Sequence, residues 1–225
     1  MRKQQGFTLV EIAIVLVIIG LLLGGILRGQ ELIQNARVRN IIDQQNGIKA
    51  AFFGFQDRFR MTPGDLTGAQ ATQVGSGVTA STTLPGNGQI DSLDSATAFQ
   101  NITASGFISC QTCTTTGASS NANSPVNAYG GALQLVTDAV YDAPVAVTPN
   151  IRHNVKTGPL IPSKVMYEAD IKVDDALPET GQFRFSTWSG GGAGVSPGAG
   201  CKATTNWMTD PNTIDPNCGG ATLIN

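Results

Sequence analysis

The sequence predicts an α+β protein in which one long N-terminal helix packs, through its second half, on a small antiparallel β-sheet head. Three observations lead there. Residues 7–27 read FTLVEIAIVLVIIGLLLGGIL, a 21-residue apolar run broken only by Glu11. Beyond it Ile41, Ile48, Phe52, Phe55 and Phe59 recur at steps of seven, four, three and four, a stripe on one helix face. Farther on, Val165, Tyr167, Ala169, Ile171 and Val173 alternate with Met166, Glu168, Asp170, Lys172 and Asp174, and Gln182 to Trp188 alternates again, the period of half-buried strands.

Composition bounds what such a chain does. At 225 residues with 41% hydrophobic side chains it suffices for one substantial core or two small ones, which argues against disorder. Fourteen Lys and Arg against sixteen Asp and Glu leave no basic excess to neutralise a phosphate backbone, so no nucleic-acid partner is expected. The charged share of 13% is about half the usual one, and with 27 Gly it suits an exported surface protein better than a cytosolic enzyme. The average hides an asymmetry. Residues 1–60 hold eight of the basic and four of the acidic side chains, a net of +4, which leaves residues 61–225 with six and twelve, a net of −6. All eleven prolines fall in the second part, beginning at Pro63.

The apolar run of residues 7–27 is long enough to span a bilayer, for which about 20 helical residues are needed. A secretory signal has a shorter apolar region, about 7–15 residues, followed by a small-residue cleavage site. This run ends instead in Gly24-Gly-Ile-Leu-Arg28. Arg2 and Lys3 precede it, so the positive-inside rule keeps the N-terminus cytoplasmic and sends the acidic, loop-rich bulk outward. Glu11 needs a reason, because a carboxylate inside a membrane helix is costly. Viewed alone, it reads as an interfacial carboxylate that snorkels to the headgroups.

Its neighbours change that reading. Met1-Arg-Lys-Gln-Gln-Gly6 is a short, basic, polar leader, followed by Phe7-Thr-Leu-Val-Glu11 and an uninterrupted apolar helix. This resembles the leader and N-terminal motif of the type IV pilin and type II secretion pseudopilin superfamily. The resemblance implies cleavage after Gly6 by a prepilin peptidase of the bacterial inner membrane and methylation of the new terminus, Phe7, with the helix retained. Cleavage would place the Phe7 ammonium within about one helical turn of Glu11. In a bundle of staggered subunits the carboxylate of one copy then meets the ammonium of the next. In low dielectric that pair attracts far more strongly than in water and either charge alone is penalised, which makes Glu11 a register device for assembly. One feature departs from the pattern. Many members carry a proline in the second half of the apolar helix, whereas here none lies between Met1 and Thr62. Gly20, Gly24, Gly25 and Gly29 are the weak points instead, each weakening the helix by about 1 kcal/mol relative to alanine.

The helix continues past Arg28 with Arg37, Arg39, Asp43, Lys49, Asp57 and Arg58 off the apolar stripe, and Pro63-Gly-Asp65 stops it. It thus covers residues 7–60, with 7–27 in the membrane, roughly 80 Å if unbroken. A helix half apolar all round and half amphipathic matches the ladle-shaped subunit of the superfamily. Its first half has nothing of its own to pack on and requires lipid before assembly and sister helices afterwards.

Residues 61–225 form the expected extracytoplasmic head. The turn-rich Asp175 to Gly181 joins the two alternating runs as an antiparallel pair. Further strands are expected near Ala132 to Thr137 and around Val145 to Val147. Ala98, Phe99 and Ile102 place a short helix between Ser95 and Gly106, with Gly106 as terminator. Residues 68–88, 112–127 and 189–200 read as loops. The sheet is expected to bury Ile48, Phe52, Phe55 and Phe59. Met61-Thr-Pro-Gly-Asp65, Pro85-Gly-Asn-Gly-Gln89 and Asp174-Asp-Ala-Leu-Pro-Glu-Thr-Gly181 are similar to recurrent segments of pilin-like proteins with the same leader.

All four cysteines, Cys110, Cys113, Cys201 and Cys218, lie in the part expected outside, where disulfides persist. Three pairings are open in principle. The resemblance implies Cys201 with Cys218, the disulfide-closed C-terminal loop of many pilins, and so Cys110 with Cys113. As a redox motif Cys110-Gln-Thr-Cys113 would have to open a helix, but it runs into Thr114-Thr-Thr-Gly-Ala-Ser-Ser. As half of a zinc site it would need two more ligands, and His153 is the single histidine. Gly194-Val-Ser-Pro-Gly198 matches the G-x-S-x-G elbow in letters only, since Pro197 has no N–H for an oxyanion. His153, with Arg152 and Lys156 beside it, reads as a surface or hydrogen-bonded residue. Asn87, Asp91 and Asp94 do not have EF-hand spacing and read as solvated turn side chains.

The reading is therefore a non-enzymatic structural subunit of a type IV filament, a type IV pilus or type II secretion pseudopilus, with no cofactor and no metal. It implies a single-pass inner-membrane precursor with a periplasmic head. Implied partners are prepilin peptidase, sister pilins in a homo- or hetero-oligomeric filament, the inner-membrane assembly platform with its motor ATPase, and the lipid bilayer. The alternative from another class is a monomeric, membrane-tethered periplasmic binding module.

Overall fold

The computed structural model describes residues 8–144, 147–190, 200–210 and 217–224. Its elements are α1 (Leu9–Phe59), α2 (Gly68–Val74), a 3-10 turn at Ser92–Asp94, α3 (Ser95–Ala104), β1 (Gln134–Asp138), β2 (Arg152–Lys156), α4 (Ser163–Val173), β3 (Phe183–Phe185) and β4 (Gly220–Leu223). The strands form one antiparallel sheet in the order β1-β2-β4-β3. The α+β class, a long N-terminal helix with a small antiparallel sheet, is what the structure holds. The chain divides into two compact units, Met1–Arg37 and Val38–Asn225.

In the first unit α1 runs without a break through Gly20, Gly24, Gly25 and Gly29, and a Cβ at any of the four would meet nothing within 4 Å. In the second unit the amphipathic stripe does its packing. Ile48, Phe52 and Phe55 join Phe99 and Ile102 of α3, Leu135 of β1 and Val155 of β2 in one buried apolar cluster. Val38 and Ile41 join Val165, Met166 and Ala169 of α4, the two phenylalanines of β3 and Trp207 in another. Phe59 is only partly buried, its ring 4.8 Å from that of Phe55.

The turn that stops α1 also seats α3. Gly64 has a φ of +80°, its N–H donates to Asn101 Oδ1 at 2.8 Å, and a Cβ there would lie 2.7 Å from that of Ala98. Helix α3 ends as its sequence announces. Gly106 takes a φ of 81°, its N–H donates to the Thr103 carbonyl at 3.0 Å, and the Phe107 N–H donates to the Ile102 carbonyl at 3.1 Å, a Schellman cap.

Three expectations for the head are corrected. Residues 165–173, whose alternation predicts a strand, form helix α4. Val165, Ala169 and Val173 lie four apart, a step common to period two and to the helical period, and the buried set Val165, Met166, Ala169 and Asp170 follows the latter. Pro162, with fixed φ and no N–H, precedes the helix and suits its start. The expected pairing of residues 165–173 with 182–188 is consequently absent, and β3 pairs with β4, Phe183 opposite Thr222. Within the stretch 68–88, read as loop, α2 forms behind a capping box in which Thr67 Oγ1 accepts the Gln70 N–H at 3.3 Å and Gln70 Oε1 accepts the Thr67 N–H at 2.8 Å. Of the strand expected around Val145 to Val147, residues 145 and 146 lie outside the described residues and Val147 is exposed, outside any strand. The expectation near Ala132 to Thr137 is met by β1, which begins two residues later and ends one later.

Candidate assembly and processing segment

Helix α1 opens on its own capping box. Thr8 Oγ1 accepts the Glu11 N–H at 3.3 Å, and Glu11 Oε2 accepts the Thr8 N–H and the Thr8 hydroxyl, both at 2.8 Å. The carboxylate thus satisfies a backbone donor that a helix start leaves open, at the positive end of the helix dipole. The spacing Thr8-x-x-Glu11 announces this box in the sequence, where the charge of Glu11 draws attention instead to a partner outside the chain. Gly6 and Phe7, the expected cleavage and methylation residues, lie outside the described residues.

Past the cap, apolar side chains face outward all round the helix. Leu9 is 92% exposed, Leu16 63% and Leu21 73%, and nothing in the most apolar stretch is buried. Among the described residues this is the one helix long and apolar enough to cross a membrane. An apolar surface of that extent marks contact with a membrane or with other protein. An exposed Arg28–Glu31 ion pair at 3.0 Å follows the run, and Leu32 and Ile33 beyond it are again exposed.

In the head the structure joins Cys201 to Cys218, with Cα atoms 5.5 Å apart, and Cys110 to Cys113, with Cα atoms 5.4 Å apart. Cys201 and Cys218 are fully buried beside Trp207 and Phe183 and tie the chain entering β4 to the segment that carries Trp207. Replacing both by serine is expected to lower stability by roughly 3 kcal/mol, the magnitude for a loop of about this length. Replacing Cys110 and Cys113, whose loop is far shorter, should cost less. Denaturant titration of the two double variants checks this, and equal losses would contradict the loop-closure account.

Residues 1–27 match the family model for the prokaryotic N-terminal methylation motif. The chain carries a type IV prepilin-type signal. No curated protein and no solved structure matches the chain. That signal is the one type IV pilin-like and pseudopilin precursors carry, and with the apolar helix it supports membrane anchoring and a structural rather than an enzymatic role. It implies prepilin-peptidase processing and filament assembly in general.

In the head, the polar side chains singled out in the sequence hold turns. Asp65 accepts the N–H groups of Gly86, Asn87 and Gly88 at 2.7, 3.2 and 2.6 Å, so Met61 to Asp65 and Pro85 to Gln89 form one unit. Asp94, expected to be a solvated turn side chain, is instead fully buried. Burial works against its charge, but the Thr82 and Thr83 N–H groups and the Ser81 and Thr82 hydroxyls outweigh it and hold its pKa below the usual aspartate value. Asp91 caps the Leu93 N–H and Asn87 accepts the Gln89 N–H. These oxygens serve separate backbone donors, which accounts for their positions without an ion.

His153 lies in β2, its Nδ1 2.7 Å from Thr137 Oγ1 of β1 and its ring centroid 5.1 Å from that of Phe52 on α1. Burial pushes its pKa below the ordinary value of 6.5, with Asp65 opposing. The unfolded chain therefore takes up its proton first as pH falls, and stability is lost below about 6.5 down to the lower folded-state pKa. His153→Gln is expected to flatten that part of the pH–stability curve, read by thermal unfolding at a series of pH values. An unchanged slope would assign the loss to other groups.

Proposed function

We propose that this chain is a structural subunit of a type IV filament, a pilus or a secretion pseudopilus, with a leader of residues 1–6, a long helix over 7–60 and an extracytoplasmic head over 61–225. Prepilin peptidase cuts after Gly6 and methylates Phe7. The precursor waits in the bacterial inner membrane, N-terminus cytoplasmic, until the assembly platform and its motor ATPase extract it. In the filament the apolar helices form the core, and Glu11 pairs with the terminal ammonium of a neighbour.

One observation carries this reading: the methylation motif at residues 1–27 includes the first part of a helix whose apolar side chains there are exposed on every face. A mere tether would need the apolar surface but not the glycine, the aromatic residue and the glutamate at their spacing. Mass spectrometry of the mature protein from its own cells is the test. A chain beginning with N-methylated Phe7 is the expected result, and an intact Met1–Gly6 leader in assembled or surface-exposed material would overturn the reading.

A further inference from the structure

Three charged side chains from distant parts of the head converge beside β3. Lys202 Nζ contacts Asp142 Oδ2 and lies 3.1 Å from Glu179 Oε1. The side chains are 15%, 28% and 8% exposed for Lys202, Asp142 and Glu179, so the group is largely withdrawn from water. Asp142 Oδ2 itself is cut off from water, with the lysine nitrogen against it. Lys202 Nζ also lies 5.9 Å from the centre of the Phe185 ring, which gives the pair an apolar wall.

The backbone holds the three together independently of their charges. The Asp142 N–H donates to the Phe185 carbonyl at 2.8 Å, the Ser186 hydroxyl to the Val140 carbonyl at 2.7 Å and the Phe185 N–H to the Pro178 carbonyl at 2.8 Å. The segments bearing Asp142 and Glu179 are thus both strapped to β3. Lys202 follows Cys201, which is fixed by its disulfide to Cys218 and by its carbonyl, the acceptor of the Met208 N–H at 3.0 Å. Groups held side by side in this way reach effective concentrations far above any attainable in solution. Burial works against the Lys202 charge, but its bonds to Asp142 and Glu179 outweigh it and hold its pKa above the usual lysine value, so the group starts as an ion pair. A buried ion pair recovers its desolvation cost only in part, whereas an amide carries no charge to desolvate. With one carboxylate the arrangement would end there. The second gives the lysine proton somewhere to go.

We propose that Lys202 and Asp142 condense into an intramolecular amide, an isopeptide bond, with Glu179 as the proton carrier. The ammonium gives one proton to Glu179, which passes it to an oxygen of Asp142. The free amine then attacks Asp142 Cγ, the new N–C bond forms, and the C–O bond to the protonated oxygen breaks. That oxygen takes one further proton from the nitrogen through Glu179 and leaves as water. Of the three ammonium hydrogens two end on water and one on the amide, nothing is oxidised or reduced, and Glu179 returns to a carboxylate beside the amide N–H. A cavity lined by Ala139, Tyr141, Asp142, Phe185 and Thr187 adjoins the aspartate and gives the water a way out. The bond ties the segment after β1 to the one that carries Trp207, next to the Cys201–Cys218 disulfide but, unlike it, indifferent to reductant.

The test is peptide mapping of the full chain, purified in detergent, then reduced, denatured and cut with trypsin. An amide on Lys202 blocks cleavage there, so the expected product is residues 61–152 joined to residues 185–225, lighter than the two together by one water. Fragmentation in the mass spectrometer should place the link between Asp142 and Lys202. Lys202→Arg keeps the charge and the ion pair but offers no lysine amine, and should give no linked product. Glu179→Gln keeps the shape without the proton carrier, and the linked fraction formed in a fixed time should fall about tenfold or more. Parent protein that yields only separate peptides, cut after Lys202, holds an ion pair and nothing further, which overturns the proposal. A link from Lys202 to any carboxylate other than Asp142 overturns it too, as does a Glu179→Gln variant that links like the parent.

Discussion

Glu11→Ala is expected to abolish filament assembly while leaving the chain in the membrane. The apolar run that anchors the helix is untouched, and losing a carboxylate from it favours insertion. What goes is the proposed partner of the neighbouring subunit's terminal ammonium, which then stays unpaired in a low-dielectric core. The substitution also removes the cap on Thr8, so two further variants separate the roles. Glu11→Gln keeps the cap, since glutamine serves in a capping box, but loses the charge, and should fail to assemble like alanine. Thr8→Val weakens the cap and keeps the charge, and should assemble. Sheared surface filaments counted by electron microscopy, set against membrane fractionation of the precursor, give the readout. Normal filaments from Glu11→Gln would reduce Glu11 to a helix cap and sink the intersubunit pairing.

Phe55→Ala should destabilise the head by about 3–5 kcal/mol, the usual cost of truncating a fully buried phenylalanine. Phe55 is 0% exposed and has Phe59 and Phe107 as ring neighbours at 4.8 and 6.2 Å. Against a typical total of about 5–15 kcal/mol, that loss removes a large fraction of the domain's stability. The same helix supplies its own control. Leu32 is 66% exposed, so Leu32→Ala should leave unfolding of the head within about 0.5 kcal/mol of the parent. Denaturant titration of both variants in detergent makes the comparison. Equal effects would mean that the second half of α1 is not part of the head's core.

The stripe from Ile41 to Phe55 is legible because it needs nothing but spacing along one helix, and the same holds for the Gly106 cap. The strands are less legible. Strand β2 reads Arg-His-Asn-Val-Lys and looks like surface until β1 and β4 flank it, with Val155 opposite Leu135 on one side and Thr222 on the other. Strand β4 is four residues, buried throughout, in a segment too short to carry a period. Helix α4 misleads for the opposite reason, since its apolar residues satisfy two periods at once. In the assembly segment, Glu11 stands out as a lone charge in an apolar run, whereas its bond to Thr8 is a matter of geometry.

Sequence alone determined the prepilin-type signal, the apolar span and the stop of the long helix. These are contiguous properties, written in side-chain polarity and in residues that cap or break a helix within a few positions. Only the tertiary structure decided that residues 163–173 are helical, that β2 and β4 pair across a separation such as Asn154 with Leu223, and that Asp170 is buried against Trp207, 37 residues away. Those outcomes depend on which distant surfaces exclude water together. No local pattern records that, and so Asp142, Glu179 and Lys202 read in the sequence as separate charges.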